Sequence, residues 1–104
     1  MANTPEGAVK ARVKKMLQSF DVYYFMPATA GYGGSGAPDI VACAWGHFLA
    51  IECKAGYNKP TALQDQEMTF IRDAGGTALV INEHNMDELA VVLAAWKGEH
   101  ERTV

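Results

Sequence analysis

Two apolar runs, DIVACAW (Asp39 to Trp45) and HFLAIECK (His47 to Lys54), are separated by Gly46 alone. Each run has the length of a strand and falls short of a core helix, and glycine supplies the backbone freedom that a tight reversal needs. Together they predict an antiparallel hairpin at the centre of a sheet. The second run is apolar on both faces until it reaches Glu52 and Lys54, so those two charged groups need a partner or a ligand.

The surrounding segments supply helices to pack on such a sheet. Thr4 followed by Pro5 is a helix start, and Val9, Val13, Met16, Leu17 and Phe20 recur at helical spacing, predicting a helix over Pro5–Ser19. VYYFM (Val22 to Met26) reads as a strand that ends at Pro27. The glycine-rich loop ATAGYGGSGA then leads to Asp39. After AGYNKP, Thr61 is placed to cap a second helix with Leu63, Phe70, Ile71 and Ala74 on one side, stopped by Gly75 and Gly76. TALVIN is the fourth strand. Asn85 and Glu88 spell a capping box for a last helix, whose apolar stripe is Met86, Leu89, Ala90, Leu93 and Trp96, with EHERTV expected to fray. The predicted fold is α/β, a mixed sheet flanked by helices in the order αβββαβα, as one domain over residues 1–104.

A chain of 104 residues with 49% hydrophobic composition suffices for one core. It contains no run of about 20 apolar residues, so no membrane span is expected and a soluble cytoplasmic protein is. The two cysteines, Cys43 and Cys53, sit in strand-like runs and read as small buried hydrophobes. A net charge of -3 weighs against DNA as a partner, because phosphate binding depends on Lys and Arg. The charges are uneven, however. Lys10, Arg12, Lys14 and Lys15 crowd the first helix, which is also what a solvated helix face looks like.

The chemistry concentrates at the hairpin. Glu52 and Lys54 are two positions apart on a strand, so the pleat puts both side chains on one face. If the strands pair, Asp39 at the start of one lies beside Glu52 near the end of the other. Two carboxylates so placed suit Mg²⁺ or Mn²⁺, and a lysine beside them can orient a water and stabilise developing charge. Taken alone, the same residues also fit a strand start and a surface ion pair.

The combination GSGAPDI, AIECKAG and KPTALQ resembles the virus-type replication-repair nuclease (VRR-NUC) family of the PD-(D/E)xK nuclease superfamily. Pro38, Asp39, Glu52, Cys53 and Lys54 match its signature, and the similarity runs from Glu6 to about Asn82. The resemblance implies a restriction-endonuclease-like fold and a metal-dependent DNA endonuclease. Asp39, Glu52 and the main-chain carbonyl of Cys53 would hold the metal, Lys54 would be catalytic, and Glu6 and Gln64 would stand near them. It further implies branched DNA such as a Holliday junction as substrate, a homodimer, and a phage or bacterial setting.

Other readings of these residues stay open. Gln64 with Thr61 also satisfies a capping box, and Glu6 is also a first-turn acid favoured by the helix dipole. Gly31, Gly33 and Gly36 spell GxGxxG, but a strand follows where a dinucleotide site needs a helix, so they read as a loop that lets backbone approach DNA or metal, with Tyr32 a candidate for base stacking. Lys10, Lys14, Lys59 and Arg72 are candidate phosphate contacts, Lys59 foremost because its loop follows the catalytic strand. The three histidines, His47, His84 and His100, have no metal-ligand spacing. A dimer interface is expected on the last helix or on Tyr23, Tyr24 and Phe25. The alternatives in function are a nicking or restriction-like endonuclease and a catalytically silent DNA-binding module.

Overall fold

The computed structural model describes residues 4–28 and 36–104. Seven elements follow in the expected order: α1 (Pro5–Ser19), β1 (Tyr23–Phe25), β2 (Ile40–Ala44), β3 (His47–Cys53), α2 (Ala62–Asp73), β4 (Thr77–Ile81) and α3 (Met86–Thr103). The strands form one mixed sheet in the order β1-β2-β3-β4, antiparallel except for the parallel pair β3 and β4. The calls on Gly31, Tyr32 and Gly33 lie outside the described residues.

Local chemistry explains the boundaries. The Thr4 hydroxyl accepts the Gly7 N–H at 2.9 Å and Pro5 opens α1. The helix closes with Asp21 in the left-handed region (φ 58°), where the Val22 N–H reaches the Leu17 carbonyl and the Asp21 N–H that of Gln18. The β2–β3 reversal uses Trp45 (φ 49°) and Gly46 (φ 87°), the doubly positive pair that matches the twist of a two-residue hairpin.

The helices cover the sheet unequally. On one face α1 contributes Val9, Val13 and Leu17 and α3 contributes Leu89 and Leu93, packed on Ile40, Ala42, Leu49, Ile51, Cys53 and Ile81. On the other face α2 alone lays Met68 over Ala50 and Ala78. It leaves the β1–β2 half bare, so Tyr23, Phe25 and Phe48 stay exposed, with Tyr23 and Phe48 both paired to Cys43 on the strand between them.

Several expectations are corrected. The side of α2 that packs is centred on Met68, with Ile71 partly buried, while Leu63 and Phe70 are exposed; small Ala50 and Ala78 admit the helix along that seam. Asn85 forms no capping box: its Oδ1 accepts the Asn82 N–H and its Nδ2 donates to the Val80 carbonyl, so the side chain ties β4 to α3. EHERT is helical to Thr103. Cys43 is exposed and Cys53 buried, because they stand on opposite faces of the sheet. Among the described residues no helix is long and apolar enough to cross a membrane.

Candidate active site

The register of the hairpin brings the acids together. Ile40 pairs with Ile51, so one step further along each strand Asp39 meets Glu52. Asp39 does more than lie alongside: its Oδ2 accepts the Cys53 N–H at 2.9 Å, replacing a ladder bond that β2 no longer provides. The N–H and C=O of one strand residue face the same neighbour, so the Cys53 carbonyl is turned to the Asp39 side as well. Gly36 sets the approach to Asp39. At φ 74° a Cβ there would lie 2.6 Å from the Leu63 carbonyl oxygen, so only glycine lets the chain pass against the first turn of α2.

Glu52 is only 2% exposed, and its Oε2 finds no hydrogen-bond partner among the described residues. Burial, first, then a hydrogen bond to Asp39 and the Asp39 charge push its carboxyl up to about 8, with Glu6 adding to the rise and Lys54 opposing it. A buried carboxyl in this state must keep a proton or acquire a cation. Burial also pushes the Cys53 thiol up to about 12, with the charge of Asp39 next in effect. That thiol stays neutral and hidden, which leaves only its main chain for chemistry.

The remaining candidates divide. Glu6, in the first turn of α1, is close enough to act on both Glu52 and Cys53. Lys10, one turn further along, sits with its Nζ 3.6 Å from Asp39 Oδ1. The same side chain remains a candidate phosphate contact. Gln64 closes the capping box of α2, its Oε1 accepting the Thr61 N–H at 2.8 Å while the Thr61 hydroxyl accepts the Gln64 N–H. Lys59 is exposed in the loop after β3, and Lys14 is half-buried on α1. Arg72 stands at the far end of α2, where its guanidinium donates to the Ala78 carbonyl at 2.8 Å. That contact belongs to the helix–sheet packing, away from the acids.

The donor set available to a metal is therefore two carboxylates and one main-chain carbonyl. Among the described residues no group of three His, Cys, Asp or Glu side chains converges. Hard oxygen donors with a partnerless buried carboxylate oxygen among them fit Mg²⁺ or Mn²⁺, ions that keep several waters and need few protein ligands. No known family model matches the chain, and no curated protein is significantly similar to it.

Proposed function

We propose that the protein is a divalent-metal-dependent DNA endonuclease of the VRR-NUC type, acting on branched DNA. The observation that carries this reading is the carboxylate oxygen of Glu52, buried beside Asp39 without a hydrogen-bond partner among the described residues and countered by Lys54. Holding two acids together at a buried strand end is costly for a merely structural role, and the cost is offset when they share a dication.

Asp39, Glu52 and the Cys53 carbonyl would hold Mg²⁺ or Mn²⁺, which when bound would supply an activated water and polarise the scissile phosphate. Lys54 orients the attacking water and stabilises charge as a bond from the water oxygen to phosphorus forms and the bond to the leaving sugar oxygen breaks. Lys10 steadies Asp39, and Glu6 tunes the field at Glu52. Lys59 and Lys14 contact neighbouring phosphates. Two copies of the domain cut the two strands of a junction, in the cytoplasm of a bacterial cell or its phage-infected counterpart.

Cleavage of a labelled four-way junction and its matched linear duplex tests this, with Mg²⁺, Mn²⁺ or EDTA and with wild type against Lys54→Ala. Metal-dependent cutting that favours the junction and vanishes in the variant supports the full reading. Equal cutting of the duplex keeps the nuclease and replaces the junction preference with a nicking or restriction-like activity. DNA binding in EDTA with no cutting in any metal replaces it with a silent binding module.

A further inference from the structure

Two loops leave the sheet at the end that carries the acids, because β3 and β4 run parallel and both finish there. One follows Lys54 and the other follows Ile81. They are fastened to each other: the Glu83 carboxylate accepts the Gly56 N–H at 2.6 Å, bridging from one loop to the other. Gly56 adopts φ 60°, and the Asn58 N–H closes the turn onto the Ala55 carbonyl at 3.2 Å.

On this tethered tip Tyr57 lies flat on His84, ring centroids 4.9 Å apart and planes within 9°. Tyr57 is nevertheless 85% exposed. The imidazole covers part of one ring face, and most of the ring is left exposed. A large aromatic ring left exposed on a hydrogen-bonded surface loop has no part in the core, since neither apolar cluster includes it.

We infer that Tyr57, backed by His84, is a stacking platform for an unpaired nucleobase beside the phosphate being cut. The inference rests on the nuclease reading and deepens it by naming what the site recognises. Tyr57 follows Lys54 by three residues, so its Cα lies within about 11 Å of the Lys54 Cα, a reach that covers the nucleotides flanking the reacting one. Bases inside an intact duplex already have both faces occupied, so the platform selects strands whose bases are free at a branch or flap. Stacking of this kind tolerates any base. Lys59, two residues on, supplies the accompanying phosphate contact. The bond from Glu83 pre-orders the loop, so little ordering is left to be done on binding.

The test uses the whole protein with Ca²⁺ in place of Mg²⁺ to hold DNA uncut, and measures anisotropy on a four-way junction and on its matched duplex. A junction carrying an unpaired 2-aminopurine at the branch reports stacking directly through quenching of its fluorescence. Wild type is expected to bind the junction more tightly and to quench the probe. Tyr57→Ala is expected to lower the junction-to-duplex affinity ratio about tenfold and to abolish quenching, whereas Tyr57→Phe retains both. In cleavage assays with Mg²⁺ the alanine variant should raise KM for the junction more than it lowers kcat. If wild type cuts DNA while Tyr57→Ala keeps the same ratio and the same quenching, the platform is refuted and the nuclease stands. If wild type binds no DNA in Ca²⁺, Mg²⁺ or EDTA, both fall.

Discussion

The Asp39 carboxylate is a fastener as well as a candidate ligand: one oxygen accepts the Cys53 N–H at 2.9 Å and the other faces Lys10. The two duties are separable. Asp39→Asn keeps an acceptor for the Cys53 N–H and should unfold within about 1 kcal/mol of wild type, whereas Asp39→Ala strands a part-buried donor at a cost of about 1–3 kcal/mol. Both should abolish metal-dependent cleavage. Thermal unfolding beside a cleavage assay separates the two roles.

Glu52 makes stability depend on pH. Its folded carboxyl titrates at about 8 against an ordinary 4.5, so the folded state holds a proton that the unfolded chain has released between those values. Stability from this group is therefore complete below about 4.5 and is lost as pH rises to about 8. In EDTA, denaturant midpoints should fall across that window, by a few kcal/mol in free energy. Glu52→Gln should remove the slope and exceed wild type at pH 8.

Saturating Mg²⁺ or Mn²⁺ at pH 8 should reverse the loss in wild type, raising stability by about 1–3 kcal/mol. Glu52→Gln should show no such gain. A melting curve that ignores metal at every pH would argue against these acids as a cation site.

Lys10→Ala removes a positive charge 3.6 Å from Asp39. The pair is partly exposed, so stability should change by less than about 1 kcal/mol. Metal binding should tighten severalfold, because the cation no longer competes with the ammonium for the same oxygen. Titrating the melting temperature with Mn²⁺ measures this.

Gly36→Ala drives a methyl group to 2.6 Å from the Leu63 carbonyl oxygen at a positive φ. The approach to Asp39 must shift, at a cost of about 1–3 kcal/mol, and cleavage should fall further than stability alone explains. Gly46→Ala in the hairpin turn meets nothing within 4 Å, so it reports the backbone penalty alone.

What could be read from the sequence was what strand and helix periodicity encode. The hairpin about Gly46 and the α1 boundaries at Pro5 and Ser19 follow from local rules. Which partner a polar side chain takes is less legible, because several donors and acceptors lie within its reach. Asn85 stands at the N-cap of α3 but its side chain serves Asn82 and Val80, Lys10 also faces Asp39, and Arg72 also donates to the Ala78 carbonyl. The packing side of α2 departs from its apolar pattern because of what lies beneath it. Phe70 is large and apolar, yet the strand residues beneath the helix are alanines, and that room went to Met68.

The parallel partnership of β3 with β4 also fixes when these acids meet their final surroundings. Glu52 stands opposite Val80, and the Lys54 N–H is held by the Ile81 carbonyl, so neither is housed until the chain has passed through α2 and returned. A nascent chain that ends before Thr77 has the hairpin and both carboxylates but no wall to bury Glu52. Synthesis from the N-terminus thus delays assembly of the cluster until β4 has emerged, and a truncated product would carry the motif without its setting.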